Sequence, residues 1–300
     1  MLAGADFSPA DLDPTLEAMS AWDIATRYHE FKNTPSLQNL AKGLRRISAN
    51  AILARAREIL GSVVHPEEQK TELLSDLGAH ADRAEIELEM TLEDSPDIAG
   101  KGIASADKIW MTYPEHRPQS VILCVDTSLS MTGEKLALTA VAVAVVLLQF
   151  PEDPIGVVAF ENEAQVLKRP DERITIQQLV ERFLDVPAQG YTHLEEGMKC
   201  ALGLIQSGGK GRRIRGAARK PPSTVLLSDG KYTAGRDPAY LAHRFPHLVV
   251  LKMGKERSSY ELCRELAQKG KGVMREVPHL ESLPEVMYGV VKDLLRGRSL

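Results

Sequence analysis

Three oxygen-bearing side chains stand two residues apart at the end of an apolar run. They are Asp126, Ser128 and Ser130, and they follow Val121-Ile122-Leu123-Cys124-Val125. One carboxylate with two hydroxyls is an oxygen-only donor set, of the kind that holds Mg²⁺ or Mn²⁺. Two further donors lie far along the chain. Thr192 opens a helical stretch, and Asp229 ends the apolar stretch Val225-Leu226-Leu227-Ser228. Two hydroxyls and one or two carboxylates leave coordination positions for water and one external ligand.

Each donor also has a plain local reading. Ser130 suits a cap for a helix beginning after Gly133. Thr192-His193-Leu194-Glu195 matches the Ser/Thr-x-x-Glu capping box. Asp229-Gly230 suits an ordinary turn. His193, Glu195 and Glu196 read as helix N-terminal residues favoured by the macrodipole rather than as an acid–base pair.

The elements that carry these residues follow from the apolar pattern. Val121–Val125 is continuously apolar, as in a strand buried on both faces. Gly133–Phe150 is a helix so apolar that it must be buried. Strands are expected at 155–160, 164–168 (hairpin-paired), 224–227, 248–252 and 272–277. Helices are expected at 175–184, 193–206, 258–269 and 280–295. Alternation of this kind predicts an α/β fold, a doubly wound, mostly parallel sheet with helices on both faces. Such sheets gather ligand-binding residues at the carboxyl ends of their strands. Asp126 and Asp229 are then delivered to one edge.

The preceding residues read as a small helical module over 1–84. It has a loose arm at 1–16, a helix at 18–31, and a second helix from Pro35 striped by Leu37, Leu40, Leu44, Ile47 and Ala51. A third helix is expected at 67–84. Residues 85–118 read as an acidic strand and linker. Glu85 to Leu92 alternates glutamate with apolar residues, the period of a half-exposed edge strand. Residues 119–300 make up the α/β domain.

With Asp126-x-Ser128-x-Ser130, Thr192 and Asp229 in this order, the chain resembles the von Willebrand factor A (VWA) family over roughly residues 119–296. The matching stretches 153–160 and 227–230 support the resemblance. It implies a Rossmann-like fold whose metal-ion-dependent adhesion site (MIDAS) is built from Asp126, Ser128, Ser130, Thr192 and Asp229. It further implies Mg²⁺, with Mn²⁺ or Ca²⁺ as alternatives, and a partner protein whose Asp or Glu completes the coordination. Leu129 and Tyr191 depart from the family's usual glycines. Helices followed by an A domain resemble the adaptors of MoxR-type AAA+ ATPases in chaperone-like assembly or metal insertion.

Composition narrows the function classes. A net charge of −4 over 300 residues gives no global pull toward nucleic acid or acidic membranes. Cys124, Cys200 and Cys263 read as reduced core residues, not a disulfide frame. The N-terminus lacks a signal-peptide pattern, so the expectation is a cytoplasmic, non-membrane protein. No P-loop spacing occurs, and none of these features marks an enzyme. Two alternatives remain. One is a Mg²⁺-dependent phosphohydrolase, against which Ser128 stands where a second acid belongs. The other is an RNA–protein scaffold using the basic stretch 207–220, which has no aromatic residue to stack on bases.

Overall fold

The computed structural model describes residues 18–62, 69–77, 84–96, 105–114, 119–151, 153–187, 190–208, 221–254, 259–277 and 279–296. The arm at 1–16 and the basic residues 209–220 lie outside them. The chain divides into two compact units, residues 1–63 with 118–300, and residues 64–117.

In chain order the helices are α1 (Ala21–Thr26), α2 (Tyr28–Lys32), α3 (Ala41–Ser62), α4 (Leu88–Asp94), α5 (Glu134–Gln149), α6 (Ile176–Asp185), α7 (Leu194–Gly208), α8 (Ala239–Ala242), α9 (Tyr260–Lys269) and α10 (Leu283–Leu295). The strands are β1 (Gln69–Leu73), β2 (Glu85–Ile86), β3 (Trp110–Pro114), β4 (Val121–Asp126), β5 (Ile155–Phe160), β6 (Ala164–Lys168), β7 (Ser223–Ser228), β8 (His247–Met253) and β9 (Met274–Val277).

The larger unit is built on a six-stranded sheet in the order β6-β5-β4-β7-β8-β9. Only β6 is antiparallel; it pairs with β5 as the expected hairpin. β4 is central and buried along its whole length. Its side chains alternate between two cores. Val121, Leu123 and Val125 join the core of α3, α5, α6 and α10. Ile122 and Cys124 join the core of α7, α8 and α9. Two-sided burial explains why the strand is uniformly apolar. From β4 the chain crosses through α5 on one face to β5. It returns through α7 on the other face to β7. The strand order therefore reverses at β4/β7, which opens the crevice where doubly wound sheets bind ligands.

The N-terminal helices do not form a module of their own. α5 is buried continuously from Leu136 to Leu147. A helix apolar on all sides needs cover on all sides. The sheet and α10 cover part of it, and α3 and α1 pack against the rest. Ile24, Tyr28, Phe31, Leu44, Ile52 and Leu53 share one core with α5 and β4. Polar ties reinforce the packing. Lys32 Nζ donates to Asp185 O (2.5 Å), and Arg45 pairs with the Asp185 carboxylate (2.7 Å).

The smaller unit corrects two sequence expectations. Residues 69–73, expected within a helix over 67–84, form β1 instead. β1 and β2 flank β3 in an antiparallel three-stranded sheet over Leu77, Met111 and Tyr113. The strand expected over 85–92 stops at Ile86, and Leu88–Asp94 is helical. A hollow of about 370 Å³ lined by Thr71, Glu72, Leu73, Asp76 and Trp110 belongs to this unit and includes none of the candidate ligands.

Candidate metal centre

Asp126 is the last residue of β4 and is fully buried. Its Oδ1 accepts from the Ser128 backbone N (2.9 Å), which folds the loop back over the strand end. Its Oδ2 accepts from Ser228 Oγ at the end of β7 (2.7 Å). β4 and β7 pair up to Val125 and Leu227, so Ser228 is the next residue along. The strand register thus joins Asp126 to the chain that leads into Asp229.

Ser128 Oγ and Ser130 Oγ lie 3.2 Å apart. Two neighbouring oxygens on a Mg²⁺ octahedron, each 2.0–2.1 Å from the metal, stand about 3.0 Å apart. The pair therefore has the spacing of one octahedral edge. Ser130 does not cap α5, whose N-cap is Gly133 with no side-chain bond. Thr127 fastens the loop to β5, donating to Phe160 O from both its backbone N (2.8 Å) and Oγ1 (3.1 Å).

Thr192 reaches the site by a route that local spacing hides. The segment before α7 bonds on both sides of β4. His193 N donates to Glu161 O, just past β5 (2.6 Å). Thr192 N donates to Thr233 Oγ1 (2.9 Å), and Thr233 N donates back to Thr192 O (3.0 Å), beyond β7. Because β5 and β7 flank β4, this segment passes over the end of β4, where Asp126 sits. The capping-box reading fails here, since the Thr192 N–H goes to Thr233 and not to Glu195. His193 Nδ1 accepts from Glu196 N instead (3.0 Å). Glu195 and Glu196 do occupy the first turn of α7, as the dipole favours.

Asp229 Oδ1 accepts from Lys231 N (3.0 Å), so the expected turn is present. Gly230 lies at φ 76°, and its N donates to Ser228 Oγ (3.0 Å). A Cβ at Gly230 would stand 2.5 Å from Cys263 Sγ, so glycine is required there. Cys124 and Cys263 are buried, Cys200 is half-buried, and all three are free thiols.

The electrostatics match the geometry. Burial pushes the Asp126 carboxyl up to about 6, against the pull of its hydrogen bonds from Ser128 and Ser228. The charge on Asp229 adds to the rise, and among the described residues no cationic side chain offsets it. A buried carboxylate beside a second one, with only neutral donors around it, has the field that a divalent cation relieves. Asp126 keeps free lone pairs after accepting two bonds. The residues present therefore suit a hard cation. Among the described residues no group of three or more His, Cys, Asp or Glu could hold a metal.

Three positioning residues, Thr127, Ser228 and Thr233, have no role in the sequence reading, and a fourth, Glu195, reads there only as a helix N-terminal residue. Glu195 accepts from Lys199 Nζ (2.8 Å), Tyr240 Oη (2.5 Å) and Arg236 N (2.9 Å). These donors hold its carboxyl down to about 2. The contact ties α7 to the loop after Asp229. Only Ser228, placed one step past the last β4–β7 pair, could have been found from register.

Comparison with known proteins bears on the same residues. The family model for the von Willebrand factor type A domain matches residues 121–231. No curated protein matches the chain. Among solved structures, proximal thread matrix protein 1 from the mussel byssus is 22% identical, with a TM-score of 0.47. It covers 59% of this chain and 48% of its own. Another structure of that protein, with a zinc-occupied MIDAS motif, is 20% identical over 59% and 48% at a TM-score of 0.47. A von Willebrand factor type A protein from Catenulispora acidiphila is 18% identical over 63% and 45% at 0.46. The chain thus spans about half the length of these proteins. No helix among the described residues is long and apolar enough to cross a membrane. The family match runs from the first residue of β4 to just past Asp229, and the sheet is wound as that fold requires, so the larger unit has the von Willebrand factor type A fold.

Proposed function

We propose that this domain is a metal-dependent protein-binding module rather than an enzyme. Asp126, Ser128, Ser130, Thr192 and Asp229 hold a divalent cation, Mg²⁺ in the first instance, with Mn²⁺ or Ca²⁺ as alternatives. The observation that carries the reading is the fully buried Asp126 carboxylate at the β4/β7 crevice, with the Ser128 and Ser130 hydroxyls 3.2 Å apart in the loop that follows it. When bound, the cation supplies an electrophilic position that neutral hydroxyls leave strongly attractive to an incoming carboxylate. The chain's own residues hold the donors in place and keep water from the strand end. No second acid stands at position 128 to serve a phosphoryl-transfer reaction. The partner contributes an Asp or Glu. The helices preceding the domain support a place beside a MoxR-type AAA+ ATPase, as an adaptor in the cytoplasm.

Metal binding by calorimetry on the full chain, followed by affinity capture with and without chelator, tests the reading. Mg²⁺ binding should be lost in Asp126→Ala and weakened at least about 10-fold in Ser128→Ala, given the usual effect of removing one ligand or its support. Partners should elute with chelator and fail to bind either variant. Retention of every partner by both variants would sink the proposal. A phosphatase panel with Mg²⁺ should stay silent, and turnover abolished by Asp126→Ala would restore the enzymatic alternative.

A further inference from the structure

The crevice opens into a rim that is apolar where the rest of the larger unit is not. Among that unit's described residues, the exposed large hydrophobic side chains are Leu129 (61%), Tyr191 (66%), Tyr232 (38%) and Tyr240 (46%). All four belong to the loops at the carboxyl edge of the sheet or to the helix that follows directly. Leu129 lies between Ser128 and Ser130. Tyr191 precedes Thr192, and Tyr232 precedes Thr233. Thr192 and Thr233 exchange two hydrogen bonds, so Tyr191 and Tyr232 leave adjacent stretches of backbone. Scattered exposed hydrophobics are ordinary on a protein surface, but a cluster around one opening marks a contact site. Tyrosine in particular combines a large apolar ring with a tip that tolerates water, and it is enriched where binding energy concentrates.

Charge says what kind of partner this rim receives. The proposed cation sits at its centre. Lys135, whose Nζ bonds Ser130 O at 3.0 Å, and Lys231 and Arg236 stand on the same edge. Glu134, Glu161, Glu163, Glu196 and Asp237 stand on this edge too, so it is the open coordination position of the cation, not the net charge of the edge, that draws an acid. An acidic group is drawn to the centre and apolar groups to the periphery. A peptide of either kind alone leaves half the surface unused.

We propose that the rim selects a protein segment in which an Asp or Glu is flanked by large apolar side chains. The carboxylate faces the cation, and the flanking groups rest on Leu129 on one side and on Tyr191 and Tyr232 on the other. In an extended segment, side chains two residues from the acid share its face about 7 Å away. The pattern is therefore apolar-x-acid-x-apolar. This inference rests on the cation reading above, and it adds that Leu129, Tyr191 and Tyr232 determine specificity.

The test uses the full chain with Mg²⁺ and two defined peptides, acetyl-Leu-Ala-Glu-Ala-Leu-amide and acetyl-Ser-Ala-Glu-Ala-Ser-amide, titrated by calorimetry or NMR. The leucine peptide should bind about 10-fold or more tightly than the serine peptide, the effect expected of two partly buried leucines. Chelator, or glutamine in place of the peptide's glutamate, should abolish both interactions. Leu129→Ser, Tyr191→Ser and Tyr232→Ser should each bring the leucine peptide toward the serine peptide's affinity. All three positions are exposed, so the variants should fold, and their thermal midpoints check this. Equal Mg²⁺-dependent binding of both peptides would overturn the rim and leave the cation reading standing. Leucine-peptide binding that ignores chelator and the glutamine swap would overturn the cation reading and this inference with it. No binding of the leucine peptide at millimolar concentration also overturns the proposal.

Discussion

Glu195 accepts hydrogen bonds from three donors that come from three places: Lys199 one turn along α7, the Arg236 backbone in the loop after β7, and Tyr240 at α8. Its carboxylate touches no candidate ligand, yet it fixes the loop that carries Asp229 against the helix that Thr192 opens. Close packing leaves this contact little slack, because a Cβ on Gly235 would meet His193 at 2.8 Å and Glu195 at 3.0 Å. Glu195→Ala removes the acceptor from all three donors at once. It should lower Mg²⁺ affinity about 10-fold and stability by about 1–3 kcal/mol, the cost of donors left without their acceptor. Glu195→Gln keeps one acceptor oxygen and should recover part of both, which separates positioning from simple loss of charge. The acid behaviour has a defined sign. The folded carboxyl titrates at about 2, below its ordinary 4.5. Its contribution is therefore complete above about 4.5 and fades as pH falls toward 2. The gap between the thermal midpoints of wild type and Glu195→Gln should narrow as pH falls from 7 to 3 and close only near pH 2. Asp126, Ser128, Ser130 and Asp229 stand out in the sequence because a strand that ends in oxygen donors leaves a local mark, whereas Thr192 follows no strand and carries no such mark. Glu195 and Thr233 carry none either. Nothing in Thr-x-x-Glu distinguishes a glutamate that folds back on its own helix from one that reaches across to another loop.

At the scale of elements, α7 lies close against β5. A Cβ on Gly197 would lie 2.5 Å from the Phe160 ring, so the helix sits on the strand only because this residue is glycine. Phe160 is also the residue whose carbonyl holds Thr127, and so the Asp126 loop, in place. Gly197→Ala should therefore destabilise by about 1–3 kcal/mol, the usual range for overpacking, and weaken Mg²⁺ binding as well. Gly203→Ala on the same helix meets nothing within 4 Å. There the gain in helix propensity should stabilise by about 0.5–1 kcal/mol and leave metal affinity unchanged. Calorimetric melting of the two variants checks the contrast, and loss of stability in both would show that helix–strand spacing is not the cause. The order of strands and helices after Val121 was readable, except for the one-turn helix α8, because two-sided burial writes long apolar runs. The stretch 85–92 misled for an equally physical reason. Its apolar residues alternate, but after the β-branched Ile86, which closes β2, they are Leu88, Met90 and Leu92, good helix formers. β3 begins at Trp110, whose carbonyl already receives Glu87 N (2.8 Å). The ladder has no partner beyond that point, and the chain turns helical. In 67–84 the reverse occurred. Residues 69–73 suit a helix locally, but antiparallel pairing with β3 overrode that preference.

For the whole molecule, the sequence reading drew its boundaries at 84 and 118, whereas the compact units meet at 63/64 and 117/118. Helical periodicity says that a stripe will be buried but not against what. The answer lay in α5, whose apolar outer surface demands cover that α3 and α1 supply. The N-terminal helices are thus part of the core that supports β4. The unit of 64–117 has its own sheet and its own core of Leu77, Met111 and Tyr113. All five candidate ligands, the Glu195 clamp and the apolar rim belong to the other unit. Two deletions should therefore behave differently. Replacing 64–117 by a flexible Gly/Ser linker should leave a folded protein that binds Mg²⁺ within about 2-fold of the intact chain, since each unit has its own sheet and its own core. Removing residues 1–63 strips cover from an apolar helix. Burial is worth about 25 cal/mol for each Å² of apolar surface, so losing several large side chains from one core exceeds the few kcal/mol by which a domain is stable. That truncation should aggregate or melt without a cooperative transition. Circular dichroism melts and Mg²⁺ calorimetry on the two proteins decide the matter. A cooperative, metal-binding product from the 1–63 deletion would mean that the N-terminal helices are an appendage, and that α5 can face solvent or a partner without them.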